Sequence, residues 1–165
     1  MVRQKNALRK HFIADYTSGQ NTPPTEDSSW LRLAKKITTI SDNSEEQTES
    51  EGDYAGDGTE VEVLTGRSES WSAEGTYDPG DAAQKLIASK KRKVTDDERL
   101  VWHKIEETNG DVVIGLAKVL NIIAGSGDAT AYEEFKCDIN FTEQPEVKTA
   151  SSTPSQKITE KVNKK

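Results

Sequence analysis

The sequence predicts a mainly β protein, a two-sheet β-sandwich with one flanking α-helix, on three observations. Residues 61–77 largely alternate apolar or β-branched positions with polar ones, the period of two typical of strands. An Asp-Pro-Gly-Asp corner at 78–81 follows and begins a helix. An Asn-Gly pair at 109–110 between two apolar stretches is typical of a hairpin turn. Six or more strands with one helix indicate a layered β fold.

The first part of the chain predicts an arm and two strands. Residues 1–16 are read as an N-terminal arm leading into a first strand at 8–16. Residues 17–29 contain glycine and two prolines and are read as a connection. Residues 30–40 predict a strand because Thr38, Thr39 and Ile40 are β-branched, although Ala-Lys-Lys at 34–36 leaves a helix open.

A long acidic segment at residues 41–58 is predicted to be an exposed loop between strands. It has many carboxylates, no Lys or Arg and almost nothing to bury, and such long loops are usually functional or disordered. Ordering of this segment against a neighbouring subunit is one interpretation, beside that of a solvated charge run. The candidate residues for that contact are Asp42, Glu45, Glu46, Glu49, Glu51, Asp53, Tyr54 and Asp57.

The helix is predicted over residues 79–90, with Asp78 as its cap and Pro79 at its first position. Its apolar stripe is narrow, which suits a helix that lies on a sheet. A basic run at 89–93 lies at the negative end of the helix dipole, and this structural role is favoured over a nuclear import signal.

The last strands are predicted at residues 99–107, 111–123 and 131–141. The second is apolar on both faces, which indicates a central strand. The third alternates cleanly and places Cys137 on its apolar face, where core packing is the expected role. The domain is predicted to span residues 17–147, and residues 148–165 are expected to be a flexible, lysine-rich tail.

Composition limits the function classes. The chain has 165 residues, a hydrophobic fraction of 32% and a formal net charge of −7, which argues against a general nucleic-acid binder. A single cysteine excludes an internal disulfide framework. No apolar segment follows the basic N-terminus, so neither a secretion signal nor a membrane span is predicted.

No pattern of residues indicates catalysis. His11 and His103 are distant in sequence, and neither accompanies a nucleophile or a phosphate-binding loop, so we predict no enzyme and no cofactor. The stretch Asp-Tyr-Ala-Gly-Asp-Gly at 53–58 brings together two aspartates but lacks the spacing of a calcium loop, so no metal site is predicted and a solvated charge run is favoured.

The order of these parts resembles the major tail tube proteins of siphovirus-type bacteriophages, over residues 30–147. A tryptophan-led strand enters a long polar segment that returns through Tyr-Ala-Gly-Asp-Gly at 54–58. A strand ending Ser-Ala-Glu-Gly-Thr-Tyr at 72–77 precedes the Asp-Pro-Gly-Asp corner. The last strand reads Phe-Lys-Cys-Asp-Ile-Asn-Phe at 135–141 and ends near Gln144 and Pro145.

This resemblance implies a β-sandwich subunit that forms hexameric rings, which stack into a hollow tube for the genome. Its implied partners are further copies of itself and other tail proteins (tape measure, distal tail and terminator), with viral DNA passing transiently through an acidic lumen and no membrane. The implied location is the virion tail, assembled in the host bacterial cytoplasm. Basic residues of the N-terminal arm, Arg3, Lys5, Arg9 and Lys10, and the basic end at 157–165 are expected to pair with the acidic segment of an adjacent subunit.

Two alternatives stay open at this point. One is a secreted or surface β-sandwich binding module, calcium-dependent through the acidic segment; the missing secretion signal favours the virion protein. The other is a different ring-forming tail component such as a terminator, which the sequence does not separate from a tube subunit.

Overall fold

Residues 2–150, the part that the computed structural model describes, form ten strands, one α-helix and three single-turn 3-10 helices. The 3-10 turns lie at Asn6–Leu8, Asp27–Ser29 and Asp97–Arg99. The helix α1 spans Ala82–Ser89. The strands are β1 (Lys10–Asp15), β2 (Leu31–Arg32), β3 (Ile37–Asp42), β4 (Glu45–Glu51), β5 (Val61–Ser68), β6 (Ser70–Thr76), β7 (Leu100–Glu106), β8 (Val112–Ala124), β9 (Glu134–Phe141) and β10 (Glu146–Lys148).

Eight of these strands form one antiparallel sheet. Its order is β2-β1-β7-β8-β9-β6-β3, and β10 pairs with the first residues of β8. Strands β4 and β5 form a separate two-stranded sheet. The 13-residue β8 pairs with β7 along its first half and with β9 along its second half, so it joins the two halves of the large sheet.

The large sheet is strongly curled around the main core. Ile13 from β1 and Ile40 from β3 pack into the same apolar cluster, although their strands lie near opposite ends of the sheet. The predicted mainly β, sandwich-like fold with one α-helix is therefore confirmed within residues 2–150. Its two layers are halves of one continuous sheet, because β8 connects them.

The outer face of β1 and β7 carries a second apolar cluster. Trp30, Ala14 and Trp102 are buried there, with Tyr16 and Leu116 packed against them. The three tryptophans of the chain are all buried, Trp71 in the main core and the other two in this outer cluster.

Helix α1 is shorter than predicted and begins at a different cap. The helix cap is Asp81 rather than Asp78: the Asp81 side chain accepts a hydrogen bond from the backbone amide of Gln84 at 3.1 Å. Asp78 instead accepts from the Gly80 amide at 2.9 Å and closes the turn that contains Pro79. Both aspartates have a spacing compatible with capping, and the second is used because the first holds the preceding turn.

The buried side chain of Gln84 ties the helix to the turn between β2 and β3 and to the end of β6. Its amide nitrogen donates to the carbonyl of Lys35 at 2.9 Å and to that of Thr76 at 3.2 Å. Its carbonyl accepts from the amide of Asp78 at 2.7 Å. Gln84 is fully buried, so each of these bonds satisfies a group that has no access to water.

Two predicted boundaries are wrong. The single strand predicted at 30–40 is two strands, because Lys36 adopts a positive φ of 62° in the turn between β2 and β3. The long acidic loop predicted at 41–58 holds the end of β3 and the whole of β4. Pairing with β5 supplies the backbone hydrogen bonds of β4, so that strand forms without burying side chains.

The terminal arms also differ from the prediction where the structure describes them. A 3-10 turn occupies residues 6–8, and β1 spans Lys10–Asp15 within the first strand predicted at 8–16. Lys148, the first residue of the tail predicted at 148–165, ends β10, and residues 151–165 of that tail lie outside the described residues. Helix α1 is far too short to cross a bilayer, and no other helix in residues 2–150 is long and apolar enough to do so.

The β3–β6 contact is sensitive to any side chain at Gly75. A Cβ atom there would lie 2.1 Å from the carbonyl oxygen of Lys36 and 2.8 Å from the Cα of Ile37. We expect Gly75→Ala to lower the free energy of unfolding by about 3 kcal/mol, because backbone has to move. Denaturant titration measures this. Gly66→Ala in β5 is the matched control, since its nearest neighbour is a flexible Gln47 side chain at 3.5 Å; equal stability of both variants would contradict the prediction.

Two histidines far apart in sequence meet inside the main core. His11 Nδ1 lies 3.2 Å from His103 Nε2, and the His103 ring stacks on Phe141. Burial, with a contribution from the charge of Arg9, lowers the pKa of His11 to about 4. Burial also lowers the pKa of His103 well below its usual value. Both imidazoles are therefore neutral at pH 7.

The histidine pair predicts acid sensitivity between pH 6.5 and 4. His11 is protonated near pH 6.5 in the unfolded chain but only near pH 4 in the folded chain. Between these values the unfolded state binds more protons, so the free energy of unfolding decreases as the pH is lowered. We expect the neutral His11 to account for a loss of about 2 kcal/mol between pH 7 and 5. Denaturant unfolding of wild type and His11→Asn at both pH values tests this, and identical pH dependence in the two proteins would overturn it.

Candidate assembly surface

The hairpin of β4 and β5 projects from the body of the protein. All of β4 and all of β5 except Gly66 are exposed, and the two strands pack on each other with few contacts elsewhere. Their register runs from Glu45 opposite Ser68 to Glu51 opposite Val61. An isolated two-stranded hairpin is only marginally stable in water, so this one requires further packing to be rigid.

Local sequence explains why this segment pairs. Val61, Val63 and Thr65 favour extended backbone, and the Thr65 hydroxyl donates to the carbonyl of Gln47 at 3.1 Å beside an irregularity in the register. At the tip, Asp53 accepts from the Gly56 amide and Asp57 from the Thr59 amide, each at 2.9 Å. These aspartates hold tight turns, as acidic residues commonly do.

Large apolar side chains lie exposed on the hairpin. Val61 is 62% exposed and Leu64 is 57% exposed, and Tyr54 at the tip has no cover at all. The alternation at 61–65 predicts a strand with one polar face, and the strand is confirmed, but both of its faces are exposed. The signal that it lies outside the core is the acidic partner strand, which offers no apolar face to pack against.

The predicted contact residues of the acidic segment all lie on or beside this hairpin, and all are exposed. Asp42 ends β3, four glutamates lie on β4, and Asp53, Tyr54 and Asp57 lie at the tip. Glu46 is paired with Arg67 at 3.5 Å. Partial burial acts to raise the pKa of the Asp42 carboxyl, but hydrogen bonds from Ser44 outweigh it and hold that pKa below its usual value.

Two of the four predicted arm residues are engaged within their own chain. Arg9 Nε donates to Glu107 at 2.7 Å, and Lys10 Nζ lies 3.8 Å from Glu106. The start of β1 brings Arg9 and Lys10 beside the end of β7, and contact of the four arm residues with an adjacent subunit stays a prediction. Arg3 and Lys5 are exposed. The basic end at 157–165 lies outside the described residues.

The calcium-binding alternative requires a cluster of metal-ligating side chains. Within residues 2–150, no three His, Cys, Asp or Glu side chains are arranged to hold a metal ion. In the 53–58 stretch, each aspartate holds a backbone amide of the hairpin tip instead.

No protein-family model matches the sequence, and no curated protein matches it. Solved structures do match. The tail of an empty gene transfer agent particle, determined with C6 symmetry, is 10% identical, with 90% of this chain and 100% of that chain covered and a TM-score of 0.64. The SPP1 tail tube is 14% identical, with coverage of 88% and 80% and a TM-score of 0.57.

A contractile-tail component is also similar. The sheath/tube terminator of the extracellular contractile injection system PVC, in its extended state, is 11% identical, with coverage of 90% and 99% and a TM-score of 0.52. At such low identities these likenesses show the fold. The chain therefore has the fold found in tail tube and tube-terminator subunits, and the fold implied by the resemblance in sequence is confirmed.

Proposed function

We propose that this protein is a structural subunit that assembles into hexameric rings, and that the rings stack into the tail tube through which phage DNA leaves the virion. The observation that carries the proposal is the projecting β4–β5 hairpin, an exposed element with apolar side chains on a fold shared with a C6-symmetric tail. In this role the protein works without catalysis or a cofactor, in a virion tail assembled in the host cytoplasm.

The hairpin is suited to contact between subunits because its own subunit leaves it without a packing partner. Burying Val61 and Leu64 against a neighbour would remove apolar surface from water, which favours association. The contact joins different surfaces of two copies, and a contact of this kind closes into a ring when the rotation between copies allows it. One hairpin then bridges each pair of subunits.

Sheet edges give a second reason for assembly. The outer edge of β3 has no strand partner among residues 2–150. An unpaired edge presents backbone donors and acceptors that another chain can use. Pairing or covering that edge in a ring would satisfy them.

Arg3 and Lys5 remain candidates for contact with the acidic hairpin of an adjacent subunit, because both are exposed. Such pairs on a surface contribute little to affinity individually, but opposite charges guide association and set its register. Tape measure, distal tail and terminator proteins are the proposed further partners of the tube.

A tube terminator is the second candidate, and the likeness to the PVC sheath/tube terminator favours it. The two roles differ in the assembled product. A tube subunit stacks ring upon ring, whereas a terminator stops at a single ring at the end of a tube.

We expect negative-stain electron microscopy of the concentrated protein to show stacked rings or tubes. Replacing residues 45–68 with a short glycine-rich turn should abolish these assemblies while the monomer stays folded, because the hairpin packs little on the body. The Asn43 amide donates to the carbonyl of Ser70 at 2.8 Å, so the ends at the hairpin base are close enough for a short connection.

Thermal unfolding of the monomer is the control for that deletion. A similar melting temperature with lost assembly supports the hairpin as the contact element. Tubes formed by the deletion variant would refute its role, single rings in the wild type would favour the terminator, and a wild type that stays monomeric in the presence of preformed tail tips would overturn the proposed function.

A single exposed side chain on the hairpin should also matter. We expect Leu64→Ser to raise the protein concentration needed for assembly by about tenfold, since burying a leucine contributes roughly 1.5–3 kcal/mol. Val94→Ser is the matched control, because Val94 is 93% exposed but lies outside the hairpin. Light scattering against concentration measures both, and an equal effect of the two changes would contradict a specific hairpin contact.

A further inference from the structure

The outer face of β3, β6 and β9 is formed by polar and charged side chains in cross-strand rows. In β6 and β9, Ser70 lies opposite Asn140, Ser72 opposite Asp138 and Glu74 opposite Lys136. Strand β3 extends these rows at its register positions opposite β6. We call this surface the polar face; it comprises Thr39, Ser41, Asn43, Ser70, Ser72, Glu74, Lys136, Asp138 and Asn140.

Side chains of the polar face bond mainly to one another. The Ser70 hydroxyl donates to Asn140, and the Ser72 hydroxyl donates to one oxygen of Asp138. Asn43 donates to Ser72, and the other oxygen of Asp138 accepts from Asn121 of β8 at 2.7 Å. These groups are thereby occupied within the subunit.

The cations on and beside this face are paired. Lys136 Nζ lies 3.1 Å from Glu74, and the hydrogen bond and charge of that carboxylate raise the pKa of Lys136. Lys118, which lies opposite Asn140 on β8, is 3.0 Å from Asp96. Phosphate groups bind proteins chiefly through lysine and arginine, so a surface whose ammonium groups already have carboxylate partners holds DNA weakly.

The layer that carries the polar face can be continued by other copies. It ends at β3, whose outer edge has no partner within residues 2–150, and the proposed contact hairpin connects β3 directly to β6. Repetition of this layer around a ring would make a closed wall with the polar face on one side. The other layer carries the outer aromatic cluster of Trp30 and Trp102 instead.

We propose that the polar face lines the bore of the tube and is the surface past which duplex DNA moves. The inference rests on the proposed function. The bore is non-adhesive because Lys136 and the hydroxyls of Ser70 and Ser72 are bonded within each subunit, and not because it concentrates negative charge. The unpaired acidic residues of the segment at 42–57 lie on the hairpin, where they are available to the contact between subunits.

Thiol labelling of assembled tubes tests this. The native Cys137 is fully buried and burial raises its pKa to about 12, so it contributes little background. Ser41→Cys places an exposed thiol on the polar face, and Thr39→Cys is a second, independent position. Each variant is co-assembled as a minority component with wild type, so that tube formation does not depend on it. A small maleimide and a bulky polymer-linked maleimide are then compared on tubes and on unassembled subunits.

We expect both reagents to label the unassembled variants. In tubes, the small reagent should label the whole bore, whereas the bulky reagent should label only the subunits at the tube ends. Labelling of tubes by both reagents would place the face outside and overturn the inference. Labelling by neither would place it in a contact between subunits and also overturn it. Both of these results would overturn the inference about the polar face but not the proposed function. A wild type that forms no rings or tubes would overturn the proposed function instead.

Discussion

The curl of the large sheet is the constraint on which the rest of this structure depends, and the buried Gln84 side chain helps to hold it. The turn that contains Lys35 joins β2 and β3, the two ends of the strand order, and the end of β6 lies beside it because β6 pairs with β3. Both places leave backbone carbonyls that need donors. Gln84 supplies them from α1, at Lys35 and Thr76, and it also accepts from Asp78 at the start of the turn that leads into the helix. A buried amide with satisfied bonds fixes one arrangement of these parts, since any shift would leave polar groups unpaired. The position of β3 and β6 in turn fixes where the hairpin leaves the body.

The elements that the sequence predicts well are those whose own side chains decide their structure. Strand β9 alternates four buried residues with four polar ones, and it was predicted with its apolar face correct. The turn between β7 and β8 was predicted from Asn109 and Gly110, and Gly110 adopts a positive φ of 94° there. In both cases the period or the turn chemistry is local, so no knowledge of distant partners is needed.

The elements that the sequence does not predict are those whose structure depends on contacts with other parts of the chain. Strand β4 carries mostly glutamates and buries none of its side chains, so nothing in its own pattern distinguishes it from a loop. It is a strand because β5 pairs with it. The helix cap was misplaced for a similar reason, because Asp78 and Asp81 are equivalent by spacing and only the contacts of the preceding turn separate them. The contact between His11 and His103 likewise follows from the register of β1 with β7. The candidate contact residues of the acidic segment were identified by composition alone, without the structure that presents them.

The separation of charge from the polar face bears on how a tube can pass DNA. Negative charge repels phosphate but also repels the neighbouring subunits that carry it, and a ring repeats each charge around its axis. Placing unpaired carboxylates on a hairpin, where an adjacent chain can offer cations, avoids this repulsion within the wall. On the polar face, charged groups are instead neutralised or bonded within the subunit: Lys136 pairs with Glu74, and Asp138 accepts hydrogen bonds from Ser72 and Asn121. If the polar face lines the bore as proposed, a surface whose groups are bonded to one another offers little to a passing phosphate backbone.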